Sequence, residues 1–115
     1  MANVPAAKQS PRVEDGVIKW YQGDTFKIKF IVTIKDKETQ EVIPLQNGDV
    51  ITITFVNHGT HIKVYSFTEF EDNSFELFVN DTDTLLFKKG TYRYKITHFR
   101  DYNRTIVDDN LCVVE

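Results

Sequence analysis

Hydrophobic and polar residues alternate along most of this chain with a period of two, which is the pattern of half-buried β-strands. The clearest example is the segment 25–36, in which lysine and threonine separate most of the apolar residues. We expect its apolar side chains to face a core and Lys27 and Lys29 to face solvent. The inward set of this segment is Phe26, Ile28, Phe30, Val32 and Ile34.

Shorter alternating segments predict further strands at 17–21, 49–57, 61–68, 74–80, 91–100 and 104–115. Glycine, asparagine and aspartate separate these segments, as turns require, and a bulge or bend is expected at 108–110. About seven or eight short strands without a long helix predict an all-β fold, an immunoglobulin-like antiparallel β-sandwich. The predicted core of that sandwich is Phe26, Ile28, Phe30, Ile51, Ile53, Leu77, Tyr92, Tyr94 and Ile96.

One helical turn is predicted between the strands at 74–80 and 91–100. Aspartate and threonine, which cap helices, precede Leu85, and Gly90 can end the turn. The following Gly-Thr-Tyr sequence is similar to the corner before the penultimate strand of immunoglobulin-like domains, where a tyrosine hydroxyl bonds to nearby backbone. We therefore predict that Tyr92 packs beneath the turn with its hydroxyl bonded to backbone there.

The length of 115 residues suits a single domain. Residues 1–15 are polar and contain two prolines, so we expect a flexible N-terminal arm at 1–15 and the sandwich domain at 16–115. The arm lacks the apolar stretch of a secretory signal, and no apolar run is long enough to span a bilayer. A protein that is cytoplasmic in the producing cell is therefore expected.

The net charge of −3 gives no electrostatic reason to expect nucleic acid or an anionic membrane as a partner. A cationic stripe formed by Lys27, Lys29 and Lys35 has no aromatic residue on its face to stack bases, which favours a solvated outer sheet face. Cys112 is the one cysteine, so no intramolecular disulfide can form.

Few residues suggest chemistry. His58 and His61 flank a predicted hairpin loop and could converge with Glu69 or Asp72 on a zinc ion, but an ordinary polar loop is the favoured interpretation. Cys112 lies in an alternating strand end, which favours a packed thiol over a nucleophile. No catalytic, cofactor-binding or metal-binding residue is assigned, and the chain is not expected to be an enzyme.

The order of motifs is similar to that of a known family. The segments that carry the similarity are WYQGDTF at 20–26, PL at 44–45, GDVITITF at 48–55, DTLLFKKGTYRYKI at 83–96, RTIV at 104–107 and LCVVE at 111–115. Over residues 17–115 the chain resembles the immunoglobulin-like N-terminal domain of phage baseplate upper proteins and small prophage-encoded relatives. The resemblance implies a structural, non-catalytic role in a phage or prophage particle, through contacts with other particle proteins or by self-association. It also implies a second location for the protein, as a component of a virion.

A second class of function is a carbohydrate-binding or adhesion-type sandwich. That function needs exposed aromatic side chains along a groove or platform, for which Trp20, Tyr65 and Tyr102 are the candidates. A concave aromatic strip would favour sugar binding, whereas a flat apolar patch or a shared sheet edge would favour assembly.

Two strands are candidate protein interfaces because open sandwiches leave strand edges unpaired. The segment 17–21 is short and carries Trp20 and Tyr21, and the segment 61–68 is apolar on both faces with one lysine to guard it. Loops or the N-terminal arm could instead cover the second strand within the monomer. The candidate interface residues are Trp20, Tyr21, Ile62, Val64, Tyr65 and Phe67.

Overall fold

The fold is an all-β sandwich, seen in a computed structural model that describes residues 10–115. It contains ten strands and one 3-10 turn, Asp83–Leu86. Six of the seven alternating segments of the sequence match one strand each, the segment 25–36 contains two strands, and two short strands at Arg12–Glu14 and Val42–Ile43 add to them. The strands are β1 (Arg12–Glu14), β2 (Val17–Trp20), β3 (Phe26–Ile31), β4 (Ile34–Lys35), β5 (Val42–Ile43), β6 (Val50–Asn57), β7 (Thr60–Phe67), β8 (Ser74–Val79), β9 (Gly90–Arg100) and β10 (Asn103–Val114).

Two sheets of unequal width face each other. The larger sheet has the strand order β1-β2-β10-β9-β6-β7, and the smaller sheet is the pair β3-β8. Neighbouring strands are antiparallel except β2 and β10, which run parallel with Ile18 opposite Cys112. A further two-stranded pair, β4-β5, lies outside both sheets. The parallel pair joins the beginning and the end of the sandwich.

The core lies between the two sheets and is rich in aromatic rings. Phe30 of β3 packs against Tyr94 of β9 with ring centroids 6.4 Å apart, and Phe75 of β8 packs against Phe67 of β7 at 4.6 Å. The predicted core is confirmed, with Ile28 and Phe30 half-buried and the other seven residues buried. The expected exposure of Lys27 and Lys29 is also confirmed, because the period-two alternation fixes which face of β3 meets the core.

The domain begins earlier than the sequence predicted. Residues 12–14 belong to β1, which pairs with β2 through a two-residue turn at Asp15 and Gly16 with φ of 52° and 79°. Ionic contacts of Arg12 with Glu115 and of Glu14 with Lys19 hold β1 in place. A three-residue strand held by charge has no detectable periodicity, so the predicted arm extended too far; its remaining part, 1–9, lies outside the described residues.

The segment predicted as one strand at 25–36 is two strands with an unbroken alternation. After Ile31 the chain leaves β8, with the Val32 amide donating to the carbonyl of Asn73 at 3.0 Å, and then pairs with β5. The irregularity predicted at 108–110 lies just before that segment. The register between β9 and β10 shifts between Ile106 and Asp108, which makes Val107 the extra residue of a bulge.

The predicted turn and tyrosine corner are both present. The 3-10 turn begins before Leu85 because the Asn80 side chain accepts hydrogen bonds from the amides of Thr82 and Asp83. Tyr92 is buried, and its hydroxyl donates to the carbonyl of Lys88 at 2.8 Å. Burial raises the pKa of Tyr92. The hydroxyl thus fastens the loop after the 3-10 turn onto β9.

Replacing Tyr92 by phenylalanine should lower the free energy of unfolding by about 1 kcal/mol, since one buried hydrogen bond is lost with little change in volume. The measurement is the midpoint of urea denaturation. Tyr102→Phe is the matched control, because Tyr102 is 96 % exposed at the β9-β10 turn. Equal midpoints for Tyr92→Phe and the unmodified chain would show that the corner hydrogen bond contributes nothing.

Candidate functional site

The prediction that the segment 17–21 forms a protein interface is wrong. Trp20 is 1 % exposed and lies in the core, and Tyr21 is half-buried beside the guanidinium of Arg12, 5.7 Å from its ring centroid. Strand β2 lies between β1 and β10 and is therefore not an edge. The sequence did not show this, because β1 has no pattern of its own and the parallel pairing with β10 joins distant parts of the chain.

The second predicted interface strand is an edge strand. In the part of the chain that the structure describes, β7 pairs only with β6 and ends the larger sheet. Every second backbone amide and carbonyl of such a strand points away from its neighbour and remains available to another strand. Val64 faces outward and is 46 % exposed. The backbone edge of β7 is therefore a candidate docking site.

A bulge explains why β7 is apolar on both faces. His61 and Lys63 pair with Val56 and Phe55, which leaves Ile62 as an extra residue. The side chain of Ile62 consequently packs against the core together with those of Tyr65 and Phe67. Three of the four predicted interface side chains on this strand are thus half-buried within the monomer, and Val64 is the one that faces solvent.

Asp83 contacts two side chains on the inner face of β7. The hydroxyl of Tyr65 donates to a carboxylate oxygen of Asp83 at 3.1 Å, and the ammonium of Lys63 lies 3.4 Å from the other oxygen. Burial, followed by the charge of Asp83, raises the pKa of Tyr65. Because Asp83 belongs to the 3-10 turn, these contacts tie the edge strand to the turn below it.

The smaller sheet also has open edges. Among residues 10–115, β3 and β8 are each other's only neighbouring strand, and the other edge of β8 has a single bridge, between Ser74 and Glu71. Ile31 and Phe78 are exposed on the outer face of this sheet. A groove of about 470 Å³ adjoins the start of β8 and is lined by Lys29, Glu69, Phe70, Glu71, Phe75 and Glu76, with Ser74 at its end.

The most buried charged cluster was not predicted. Asp49 is 2 % exposed, accepts a hydrogen bond from Nε of Arg100 at 2.7 Å, and is contacted by a second nitrogen of the same guanidinium. The amide of Gln46 donates to it at 3.0 Å, and Nε2 of His98 lies 3.1 Å away without hydrogen-bond alignment. Arg100 also donates to the carbonyl of Pro44 at 2.8 Å.

This cluster is structural rather than reactive. Hydrogen bonds from Arg100 hold the pKa of Asp49 well below its ordinary value, although burial opposes them. The carboxylate is therefore charged and its oxygens are occupied, so it does not provide a general base. Asp49 directly precedes β6 and Arg100 ends β9. The cluster therefore joins these two strands to the loop at 44–49, which contributes the contacts of Pro44 and Gln46. No motif or spacing in the sequence predicts an ion pair between residues so far apart along the chain.

The other chemical candidates are separated or buried. Cys112 is fully buried, and burial raises the pKa of its thiol to about 12. His58 lies in the β6-β7 turn and His61 follows it in β7, whereas Glu69 comes after the opposite end of β7. Within the described residues, no three histidine, cysteine, aspartate or glutamate side chains are grouped to hold a metal ion.

The aromatic residues proposed for sugar binding do not form a platform. Trp20 is buried, Tyr65 is half-buried and bonded to Asp83, and Tyr102 stands alone at the tip of the β9-β10 turn. No helix in residues 10–115 is long and apolar enough to cross a membrane. A scan against protein-family models and searches of curated proteins and of solved structures found no match to this chain.

Replacing Asp49 by asparagine should destabilise the fold by about 3 kcal/mol, because the guanidinium of Arg100 loses its buried partner. The measurement is the free energy of unfolding at pH 7. Asp109→Asn is the matched control: Asp109 pairs with Arg93 on the surface, at 2.9 Å with both side chains at least 36 % exposed, and its loss should cost under about 1 kcal/mol. Equal losses for the two variants would contradict a special role of Asp49.

The effect of Asp49→Asn should also depend on pH. Because the pKa of Asp49 is lowered in the folded state, its stabilisation is complete above the pKa of an unfolded aspartate, about 3.9. It is lost as the pH falls through the lower folded pKa. The difference in stability between the two proteins should thus stay constant from about pH 7 to 5 and shrink in stronger acid. A difference that grows in acid would contradict the assignment.

Proposed function

We propose that this chain is a non-catalytic assembly module of a phage or prophage particle that acts through protein–protein contacts at its strand edges. The sequence resemblance to the immunoglobulin-like domain of phage baseplate upper proteins supports the particle, and the sandwich fold is compatible with that resemblance. The occupied carboxylate of Asp49 and the buried thiol of Cys112 support a role without catalysis.

The open edge of β7 is the observation that carries this proposal. The C-terminal half of β7, from Val64 to Phe67, is uncharged and pairs with β6 without a bulge. The long strand β10 contrasts with it: β2 covers only Cys112–Val114, but the uncovered part carries a bulge and charged residues. Bulges and charges discourage the addition of a foreign strand. β7 lacks that protection beyond its own bulge, so it suits docking by strand addition.

The carbohydrate-binding alternative has less support. Stacking against sugar needs aromatic faces gathered on one accessible surface. Of its three candidate residues only Tyr102 is freely exposed. A lone ring at a turn gives a sugar neither a second stacking face nor a groove.

Particle association is the direct test of the proposed function. Particles are purified by density gradient from cells that carry the gene, and the copy number of the chain is measured by quantitative mass spectrometry. We expect the chain to sediment with the particles in a fixed ratio to tail proteins. Introducing lysines at Val64 and Ser66 should remove it from the particles, because charged side chains oppose strand addition.

The matched control carries lysines at Tyr102 and Asn103, which are exposed at the β9-β10 turn and add the same charge. This control should remain in the particles. Both variants are first checked for an unchanged denaturation midpoint. A wild-type chain that never sediments with particles refutes the particle role, and equal incorporation of the two variants refutes docking at β7.

A further inference from the structure

The ladder on the outer edge of β8 stops after one pair. The amide of Glu71 donates to the carbonyl of Ser74 at 3.0 Å, and the amide of Ser74 donates to the carbonyl of Glu71 at 2.8 Å. Ser74 is also the residue of β8 opposite Ile31 of β3. Since the backbone groups of Ser74 point toward Glu71, the segment before Glu71 begins a third strand of the smaller sheet and then leaves it.

Like charges explain why that third strand does not continue. Extending the antiparallel pairing by two residues would place Glu69 directly opposite Glu76 on one face of the sheet, and like charges in such a pair are destabilising. The chain diverges instead and leaves the groove of about 470 Å³ between these two glutamates. Glu71 adds a third negative charge to the groove, whose lining has one cation, Lys29, while Lys27 outside the groove lies 3.9 Å from Glu76.

The core is also incomplete on this side. Tyr65, Phe67 and Phe70 are half-buried, whereas the core residues of the central strands β6 and β9 are almost fully buried. The ring of Phe67 lies 4.6 Å from that of Phe75, so the half-buried rings adjoin β8. An added strand beside β8 would cover apolar surface that the six-stranded sheet leaves open.

We propose that the outer edge of β8, residues 75–79, accepts an extended segment of a partner protein in which basic residues alternate with apolar ones. Backbone hydrogen bonds to β8 supply affinity, and alternate side chains supply specificity. Basic side chains lie beside Glu69, Glu71 and Glu76, and apolar side chains face Phe67 and Phe70. The inference rests on the proposed function, since it names the chemistry of the partner at the β7–β8 side of the sandwich.

The test uses a fluorescent eight-residue peptide that alternates lysine and valine, with a glutamate–valine peptide of equal length as control. Binding to the full chain is measured by fluorescence anisotropy, and the bound site by amide hydrogen exchange. We expect the lysine peptide to bind and to slow exchange at the amides of Glu76 and Phe78, which point away from β3. The glutamate peptide should bind at least about tenfold more weakly, because its charges match those of the groove.

Glu76→Lys should weaken binding of the lysine peptide by about tenfold or more. Glu38→Lys is the matched control, since Glu38 is exposed in the loop between β4 and β5 and changes the net charge equally. The control should bind as the unmodified chain does. Equal weakening by both variants, or exchange that is slowed elsewhere but not at Glu76 and Phe78, would overturn the proposal.

Two other occupants of the edge are distinguishable. Slow exchange at the outward-facing amides of Glu76 and Phe78 without peptide, together with a molecular mass that rises with concentration, would assign the edge to a second copy. Slow exchange that is lost when residues 1–9 are removed would assign it to the chain's own N-terminal segment. Either result overturns the proposal of a partner. A chain that sediments with particles but binds no lysine peptide overturns this inference alone, whereas absence from particles concerns the proposed function.

Discussion

The burial of Trp20 between the two sheets is the interaction on which the other elements depend. Its ring lies 5.1 Å from that of Phe26 and 5.4 Å from that of Phe87. To enclose the ring of Trp20, β2 must pair with β10 and β3 must pack against it from the smaller sheet. The 3-10 turn must also place Phe87, the residue after it, against the ring. The indole N–H has no hydrogen-bond partner among the described residues. Packing of the ring therefore outweighs a cost of about 1–3 kcal/mol.

Much of the fold could be predicted from the sequence, because period-two alternation reports which face of a strand is buried. The strands of the seven alternating segments, the core face of β3 and the tyrosine corner follow from such local patterns. The pairing of Asp49 with Arg100 does not, since ion pairs between distant residues leave no periodic signal. The same limit misplaced the interface at Trp20, because the sequence shows that a strand is aromatic but not which strands flank it.

The candidate docking edges of β7 and β8 were only partly predictable for a related reason. The sequence identified β7 as unusual, but the bulge at Ile62 brings that side chain to the core beside Tyr65 and Phe67, so that only Val64 of the four faces solvent. The vacancy beside β8 depends on where Glu69 and Glu76 come to lie after folding. Under the proposal made above, repulsion between like charges keeps this edge open and favours a positively charged occupant, at some cost in stability of the isolated domain.

The parallel pairing of β2 with β10 has a consequence for the order in which the domain is made. Ile18 finds its partner Cys112 almost at the other end of the described chain, so a ribosome must deliver nearly the whole domain before this ladder can close. Until β10 is in place, one side of Trp20 is not covered. Contacts between such distant residues slow folding, because the intervening chain must be ordered first. The nascent protein therefore leaves Ile18 and Trp20 of β2 without their neighbours in β10 for most of its synthesis, when chaperones and premature partners compete for them.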